Sequence, residues 1–200
     1  MLQTKATLSA RFPNGVNLII IGYIQSKKRD WKHIAASGKY ETCLDIPQDK
    51  LNHSLRGACR GGHLELVNQM ISRGANRWNW GLHGACRGGH LELVSLMISR
   101  GANDWDNGLQ GVCRGGHLKL VNLMISRGAN HWDNGLYTVC RGGHLELVNL
   151  MILHGADDWN FGLGGACRLG HHELVKTMIS KGASYCPWCN RAINVHVILA

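Results

Sequence analysis

Five cysteines recur at a fixed interval of 27 residues, and each stands four positions before a histidine. The first pair is Cys59 and His63, and the second is Cys86 and His90. On one continuous helix this spacing could hold a zinc ion. Two glycines separate the members of the first four pairs and one glycine those of the fifth. Glycine ends the helix, so we expect a small buried cysteine and a histidine that hydrogen-bonds nearby backbone. We therefore predict no metal site and no cofactor in the repeated part of the chain.

A further pair of cysteines, Cys186 and Cys189, forms the motif CPWC near the end of the chain. This spacing is typical of redox dithiols and of one half of a zinc site. A redox role requires a strand-to-helix setting that a helical array lacks. A zinc site would need further ligands from His171, His172 or His196, and a tight turn needs none. Zinc binding and a simple turn both stay open.

Arginines form a second regular series, because one follows each repeated cysteine directly. Stacked units would align them in a stripe that could bind phosphate or an acidic protein. The alternative is that cations near helix C-termini offset the helix dipole, by about 0.3–1 kcal/mol each. The basic stripe consists of Arg60, Arg87, Arg114, Arg141 and Arg168. A second basic row consists of Arg73, Arg100, Arg127 and Lys181.

A ladder of tryptophans has the same period. Aromatic rings beside arginines could stack on the bases of a nucleic acid. Each ring, however, follows the short turn between units, so we favour packing over base stacking. The ladder consists of Trp78, Trp105, Trp132 and Trp159.

The repeated unit predicts two helices. In the unit that begins at Trp78, Leu82, Ala85 and Cys86 share one face of a short helix that ends at paired glycines. A second helix of about ten residues follows, with an apolar face made of Leu91, Val94, Met97 and Ile98. A fixed period of this length is typical of a solenoid, in which stacked units share one elongated core.

The unit ACRGGHLELVxLMISRGAN resembles the ankyrin repeat, whose pattern is AAxxGHxEVVxLLLxxGAD. The resemblance covers roughly residues 54–185. Ankyrin units usually have 33 residues and a projecting β-turn finger, whereas these have 27 and keep only GLxGA. The form WxxGLxxAC resembles the short ankyrin-like arrays that are abundant in giant DNA viruses of amoebae. The resemblance implies an all-α, right-handed solenoid of stacked helix-turn-helix repeats that lack the β-turn fingers.

Both ends of the chain depart from the repeat, as the terminal units of a solenoid should. The stretch YIQSKKRDW, from Tyr23 to Trp31, aligns with MISRGANRW, and DIPQDK then interrupts the period. We therefore divide the chain into an N-terminal cap with degenerate repeats at 1–50, an array of about five repeats at 51–185, and a C-terminal cap at 186–200.

Composition limits the partners and the compartment. Lys and Arg outnumber Asp and Glu by 22 to 13, a net charge of +9, which suits phosphate or an acidic protein. The apolar run Val16–Ile24 is too short to cross a bilayer, and no cleavage site of a signal peptide follows it. We expect reduced cysteines, no membrane contact and a cytoplasmic protein, in the host cytoplasm if the chain is viral.

Three positions per unit vary while the framework repeats, and all three flank or begin helix one. In ankyrin arrays this part lines the concave face, so the resemblance implies that these residues meet a partner, with Trp80, Tyr137 and Phe161 as anchors. Neutral drift is the alternative. The predicted partner-binding residues are Arg77, Trp80, His83, Asp104, Asn107, Gln110, His131, Asn134, Tyr137, Asp158 and Phe161.

These observations predict a non-enzymatic, monomeric scaffold that binds a protein partner, a host protein if the chain is viral. The alternative is an anion or nucleic-acid binder that uses the basic stripe, with salt-sensitive affinity. We expect no enzyme, because no set of nucleophile, base and orienting residue, no paired carboxylates and no phosphate-binding loop can be assembled.

Overall fold

The computed structural model describes residues 30–38, 46–186 and 191–192. In these ranges the chain is helical apart from one short antiparallel strand pair, in which Tyr185 pairs with Ala192 and Cys186 with Arg191. The elements in chain order are α1 Trp31–Ala36, a 3-10 helix Gln48–Lys50, α2 Leu51–Gly61, α3 Leu64–Ser72, α4 Trp78–Gly88, α5 Leu91–Ser99, α6 Trp105–Gly115, α7 Leu118–Ser126, α8 Trp132–Gly142, α9 Leu145–Leu153, α10 Trp159–Leu169, α11 His172–Ser180, β1 Tyr185–Cys186 and β2 Arg191–Ala192.

Five helix pairs make up the repeated part, and they confirm the helical repeat predicted from the sequence. Helix one of each pair has 11 residues and helix two has nine. Helix one is a turn longer than we expected, because it begins at the tryptophan itself. Gly89 ends helix one with φ of 80°, a left-handed conformation that favours glycine, and His90 then occupies the N-cap of helix two. The handedness of the solenoid stays a prediction.

Glycines let consecutive units approach each other closely. A Cβ on Gly84, in α4, would lie under 3.0 Å from the carbonyl oxygen of Arg56, in α2. A Cβ on Gly81 would lie equally close to the Met97 sulfur of the same unit. Gly84 therefore excludes a side chain as long as the helices keep their present separation, whereas a side chain at Gly81 would displace the flexible end of Met97. This close packing holds the helix-one surfaces of successive units in one register.

The core is one continuous column of apolar side chains that runs through all five units. The predicted face of helix one is confirmed, since Leu82, Ala85 and Cys86 are fully buried. The predicted face of helix two was partly wrong, because Leu91 is 58% exposed and Leu93 is buried instead. The buried face is centred between Leu93 and Val94, and at roughly 100° per residue Leu91 lies more than a quarter turn away.

Helix α1 stacks on α2 as an additional helix one. The Nε2 atom of His63 lies 2.9 Å from the carbonyl oxygen of Ala36, just as that of His90 lies 3.1 Å from the carbonyl oxygen of Arg60. Ala36 is therefore equivalent to Arg60, and Trp31 lies in the buried leucine position rather than in the tryptophan ladder. The sequence alignment of Trp31 with the ladder was wrong by four residues.

Several predictions fall on residues outside the described ranges. The apolar run at 16–24, most of the N-terminal cap, and the end of the C-terminal cap belong to them. The proposed cap boundaries therefore stay predictions. Among the helices of the described ranges, none is both long enough and apolar enough to span a membrane.

Candidate functional site

A row of arginines runs along the helix-one surface of the array. Arg60, Arg87, Arg114 and Arg141, which we call the arginine row, are the penultimate residues of α2, α4, α6 and α8. All four are half-buried, whereas Arg168, the fifth member of the predicted stripe, is exposed. Within the described part of the chain, no carboxylate forms an ion pair with any member of the arginine row.

The guanidinium groups of the row are close enough to repel one another. The pKa of Arg87 is lowered to about 10, first by burial and then by the charges of Arg60, Arg114, Arg56 and Arg141. Burial also lowers the pKa of Arg114, with Arg141 as the largest charged contributor. Half-buried like charges without counter-charges are unfavourable. The row thus forms an electropositive surface that an anion would stabilise.

The carbonyl groups beneath the row are already hydrogen-bonded. His90, His117, His144 and His171 each place Nε2 within 3.1–3.4 Å of the carbonyl oxygen of the row arginine one unit earlier. Each imidazole donates to the C-terminal end of the neighbouring helix one. This bond satisfies one carbonyl at the negative helix end. Whether the arginines also offset the helix dipole stays open.

His83, which we expected to face a partner, is 2% exposed and lies beneath the row. The Nη2 atom of Arg56 is 3.0 Å from its Nδ1 atom. Burial, followed by the charges of Arg56, Arg87, Arg114 and Lys32, lowers the pKa of His83 to about 3. The ring is therefore neutral near pH 7 and accepts a hydrogen bond from Arg56. Its side chain is not available to a partner.

Replacing His83 by glutamine should reduce the loss of stability in mild acid. Below about pH 6.5 the unfolded chain protonates this histidine, whereas the folded chain does so only near pH 3, so stability falls as the pH falls through that window. Between pH 7 and 5.5 the wild type should lose about 1 kcal/mol more than H83Q. Urea titrations at both pH values measure the difference. Glutamine is the residue of the next unit at this position, Gln110, and equal pH slopes in the two proteins would contradict the prediction.

The predicted aromatic anchors form two contacts between neighbouring units. Trp80 is 37% exposed, and its ring centroid lies 4.9 Å from that of His53. Tyr137 and Phe161 stack with centroids 4.5 Å apart and an angle of 16° between their planes. Both contacts involve the first half of helix one. The anchors therefore lie on the helix-one surface, in the units on either side of the middle one.

Two of the other predicted binding residues have a local structural role. Asp104 and Asp158 are N-caps, because their Oδ1 atoms accept hydrogen bonds from the backbone of Asn107 and Phe161 at 3.0 and 2.9 Å. Arg77 and His131 occupy the same position without capping. The remaining polar members are exposed at Gln110 and Asn134 and half-buried at Asn107.

A row of Asn and Asp side chains joins each unit to the next by hydrogen bonds, and we call them the clasp residues. The sequence analysis missed this row. The Oδ1 atom of Asn79 accepts from the backbone N–H groups of Asn103 and Asp104, at 2.8 and 3.2 Å. Every unit repeats this pair of bonds across the following turn. The signal was present in the sequence, since an Asn or Asp follows the ladder position in every unit. The clasp residues are Asn52, Asn79, Asp106, Asp133 and Asn160.

Four of the five repeated cysteines are buried as predicted, whereas Cys167 in the fifth unit is exposed, so the prediction of a buried cysteine was wrong there. Burial raises the pKa of Cys86 to about 12, and the equivalent thiols of the first four units behave alike. Arg100 lies 5.8 Å over the ring of Trp78, and Arg127 lies 5.6 Å over that of Trp105. Two arginines of the second basic row thus cover two half-buried ladder rings, and His154 stacks on a third, Trp132, with ring centroids 4.9 Å apart. These contacts favour packing over base stacking.

A metal site has no support in the described ranges, where no group of three His, Cys, Asp or Glu side chains is placed to hold an ion. Cys186 is buried there, but Cys189 and His196 lie outside these ranges. Zinc binding and a simple turn at the CPWC motif therefore both stay open.

Comparison with known proteins assigns no family, since neither a family model nor a curated protein sequence matches this chain. The resemblance to ankyrin repeats rests on the pattern of the unit. The stacked helix pairs are compatible with it.

Proposed function

We propose that this chain is a non-enzymatic scaffold that binds a protein partner along its helix-one surface. The observation that carries the proposal is the contrast between framework and surface. The buried apolar positions stay apolar and the clasp positions stay Asn or Asp from unit to unit, whereas exposed residues of helix one, such as Trp80, Gln110 and Asn134, differ. A rigid repeated framework that presents a changing row of side chains suits recognition of an extended surface.

The resemblance to ankyrin arrays extends the proposal. Under it, the helix-one surface is concave, the chain acts as a monomer, and the partner is a host protein met in the host cytoplasm. Trp80 in the second unit is exposed, and the stacked Tyr137 and Phe161 of the fourth and fifth units are half-buried; together they supply aromatic area of the kind that dominates binding energy at protein interfaces.

The experiment compares two triple variants for capture of proteins from a nuclease-treated amoebal lysate at about 0.15 M salt. The test variant carries Trp80→Ala, Tyr137→Ala and Phe161→Ala. The matched variant carries Leu91→Ala, Leu118→Ala and Leu145→Ala, three exposed leucines at the start of helix two. For proteins that the wild type captures, we expect the captured amount to fall at least about fivefold with the test variant and to stay unchanged with the matched variant. Equal losses of captured protein in the two variants, or a loss only in the leucine variant, would contradict the proposal.

A second candidate function is binding of an anion or a nucleic acid through the basic stripe. The observation that favours it is the absence of carboxylate partners around four half-buried arginines in the described ranges. Capture that disappears on nuclease treatment in the wild type would favour this candidate.

A further inference from the structure

We propose that the arginine row binds an acidic, extended polypeptide segment, whose carboxylates pair with the guanidinium groups of successive units. This inference rests on the proposed scaffold function, because it names the chemistry of the partner. It does not depend on the aromatic anchors, so the two proposals can fail separately.

The first step is the charge of the surface. Lys32 and Arg56 lie beside the first members of the row. The pKa of each is lowered first by burial and then by the charges of neighbouring arginines. Six cations therefore share this surface, with no carboxylate paired to any of them in the described ranges. A bound polyanion would replace repulsion by charge-assisted hydrogen bonds. The cations are Lys32, Arg56, Arg60, Arg87, Arg114 and Arg141.

The second step is the spacing. One arginine belongs to each stacked helix, and packed helices lie about 8–10 Å apart. An extended polypeptide in the polyproline II conformation advances about 3.1 Å per residue with three residues per turn, so every third side chain lies on the same face and would meet the next arginine. The four members of the row would thus span about ten residues of a partner. The planar guanidinium fork matches a carboxylate in a bidentate geometry that lysine does not offer.

The charge spacing and the side chains beside the row favour a polypeptide over a nucleic acid. Duplex DNA carries one charge per about 1.7 Å, far denser than one arginine per helix. Proteins that bind single strands place aromatic platforms along the cationic groove. One helical turn before the row arginines stand Arg56, His83, Gln110 and Tyr137, of which His83 is buried and Tyr137 already stacks on Phe161. The row therefore offers charge without a series of free stacking platforms.

The surface also has a direction. Lys32 and Arg56 concentrate positive charge at the first unit. At the other end, the Tyr137–Phe161 stack offers apolar area between the fourth and fifth units. A fitting segment would carry its highest density of carboxylates at the end that meets the first unit.

The test uses a fluorescein-labelled peptide of 12 residues with glutamate at every third position and serine or glycine between. Fluorescence anisotropy gives its dissociation constant for the wild type, for Arg87→Gln/Arg114→Gln, and for the matched double variant Arg100→Gln/Arg127→Gln. Both double variants remove two positive charges, but Arg100 and Arg127 cover tryptophans. We expect the first to weaken binding at least about tenfold and the second less than about threefold. Thermal unfolding should show that both variants fold.

Three outcomes would overturn the proposal. In the first, the wild type fails to bind the peptide. In the second, the two double variants weaken binding equally, so that only net charge matters. In the third, oligothymidylate of equal charge binds more tightly than the peptide, and its binding depends on Arg87 and Arg114. If the peptide fails while lysate capture still depends on the aromatic anchors, the scaffold function stands and the acidic segment is wrong. If capture fails while the peptide binds as expected, the arginine row stands and the aromatic anchors are wrong.

Discussion

Replacing Gly84 by threonine should lower the free energy of unfolding by about 3 kcal/mol or more. A Cβ at this position would lie under 3.0 Å from the carbonyl oxygen of Arg56. The obstacle is backbone of the neighbouring helix, which cannot rotate away as a side chain could. Helices α2 and α4 would have to separate, and the core between them would lose packing. Equilibrium unfolding in urea, followed by circular dichroism, measures the loss.

The chain contains its own control, because Thr138 occupies the equivalent position in α8. Its hydroxyl donates to the carbonyl oxygen of Asn134 at 2.8 Å. The neighbouring helices are further apart here, since a Cβ on Gly142 would be 3.6 Å from the carbonyl oxygen of Arg114. Thr138→Gly should therefore lower the free energy of unfolding by only about 1 kcal/mol. A G84T protein as stable as the wild type would show that the units do not pack this closely.

Replacing Asp106 by alanine should cost about 2 kcal/mol. Its Oδ1 atom accepts from the backbone N–H groups of Asn130 and His131, at 2.8 and 2.9 Å. Alanine would remove both bonds and release the turn that joins α7 to α8. The loss should appear as a lower urea midpoint with an unchanged dependence on urea concentration.

Asp106→Asn is the matched control, because asparagine occupies this position in three other units, at Asn52, Asn79 and Asn160. An amide oxygen can accept the same two bonds, so the asparagine variant should stay within about 0.5 kcal/mol of the wild type. If asparagine cost as much as alanine, the negative charge beside His131 would matter more than the clasp, since that ring lies 3.6 Å from Oδ2.

The repeat period allowed much of the fold to be predicted. Glycine pairs and apolar spacing located both helices of each unit, and the buried face of helix one followed from Leu82, Ala85 and Cys86. The orientation of helix two was harder, because Leu91 and Leu93 are both leucines and only packing against helix one decides which is buried. The register of Trp31 depended on a hydrogen bond from His63, which no local pattern reveals.

The candidate site could be predicted only in part. Stacking at a fixed period was enough to align the arginine row. That no described carboxylate pairs with it depends on where side chains of other helices lie, which the sequence does not show. His83 looked like a surface residue by unit-to-unit variation, yet Arg56 and the adjoining helix bury it. Variation between units therefore indicates freedom from the repeated framework rather than exposure.

Arginine Nε–Hε signals in NMR spectra report directly on whether an acidic segment binds the arginine row. During titration with the glutamate peptide, the signals of Arg87 and Arg114 should shift and saturate together, while those of Arg100 and Arg127 stay in place. Shifts confined to Arg100 and Arg127, or small and unsaturated shifts at all four residues, would contradict the claim.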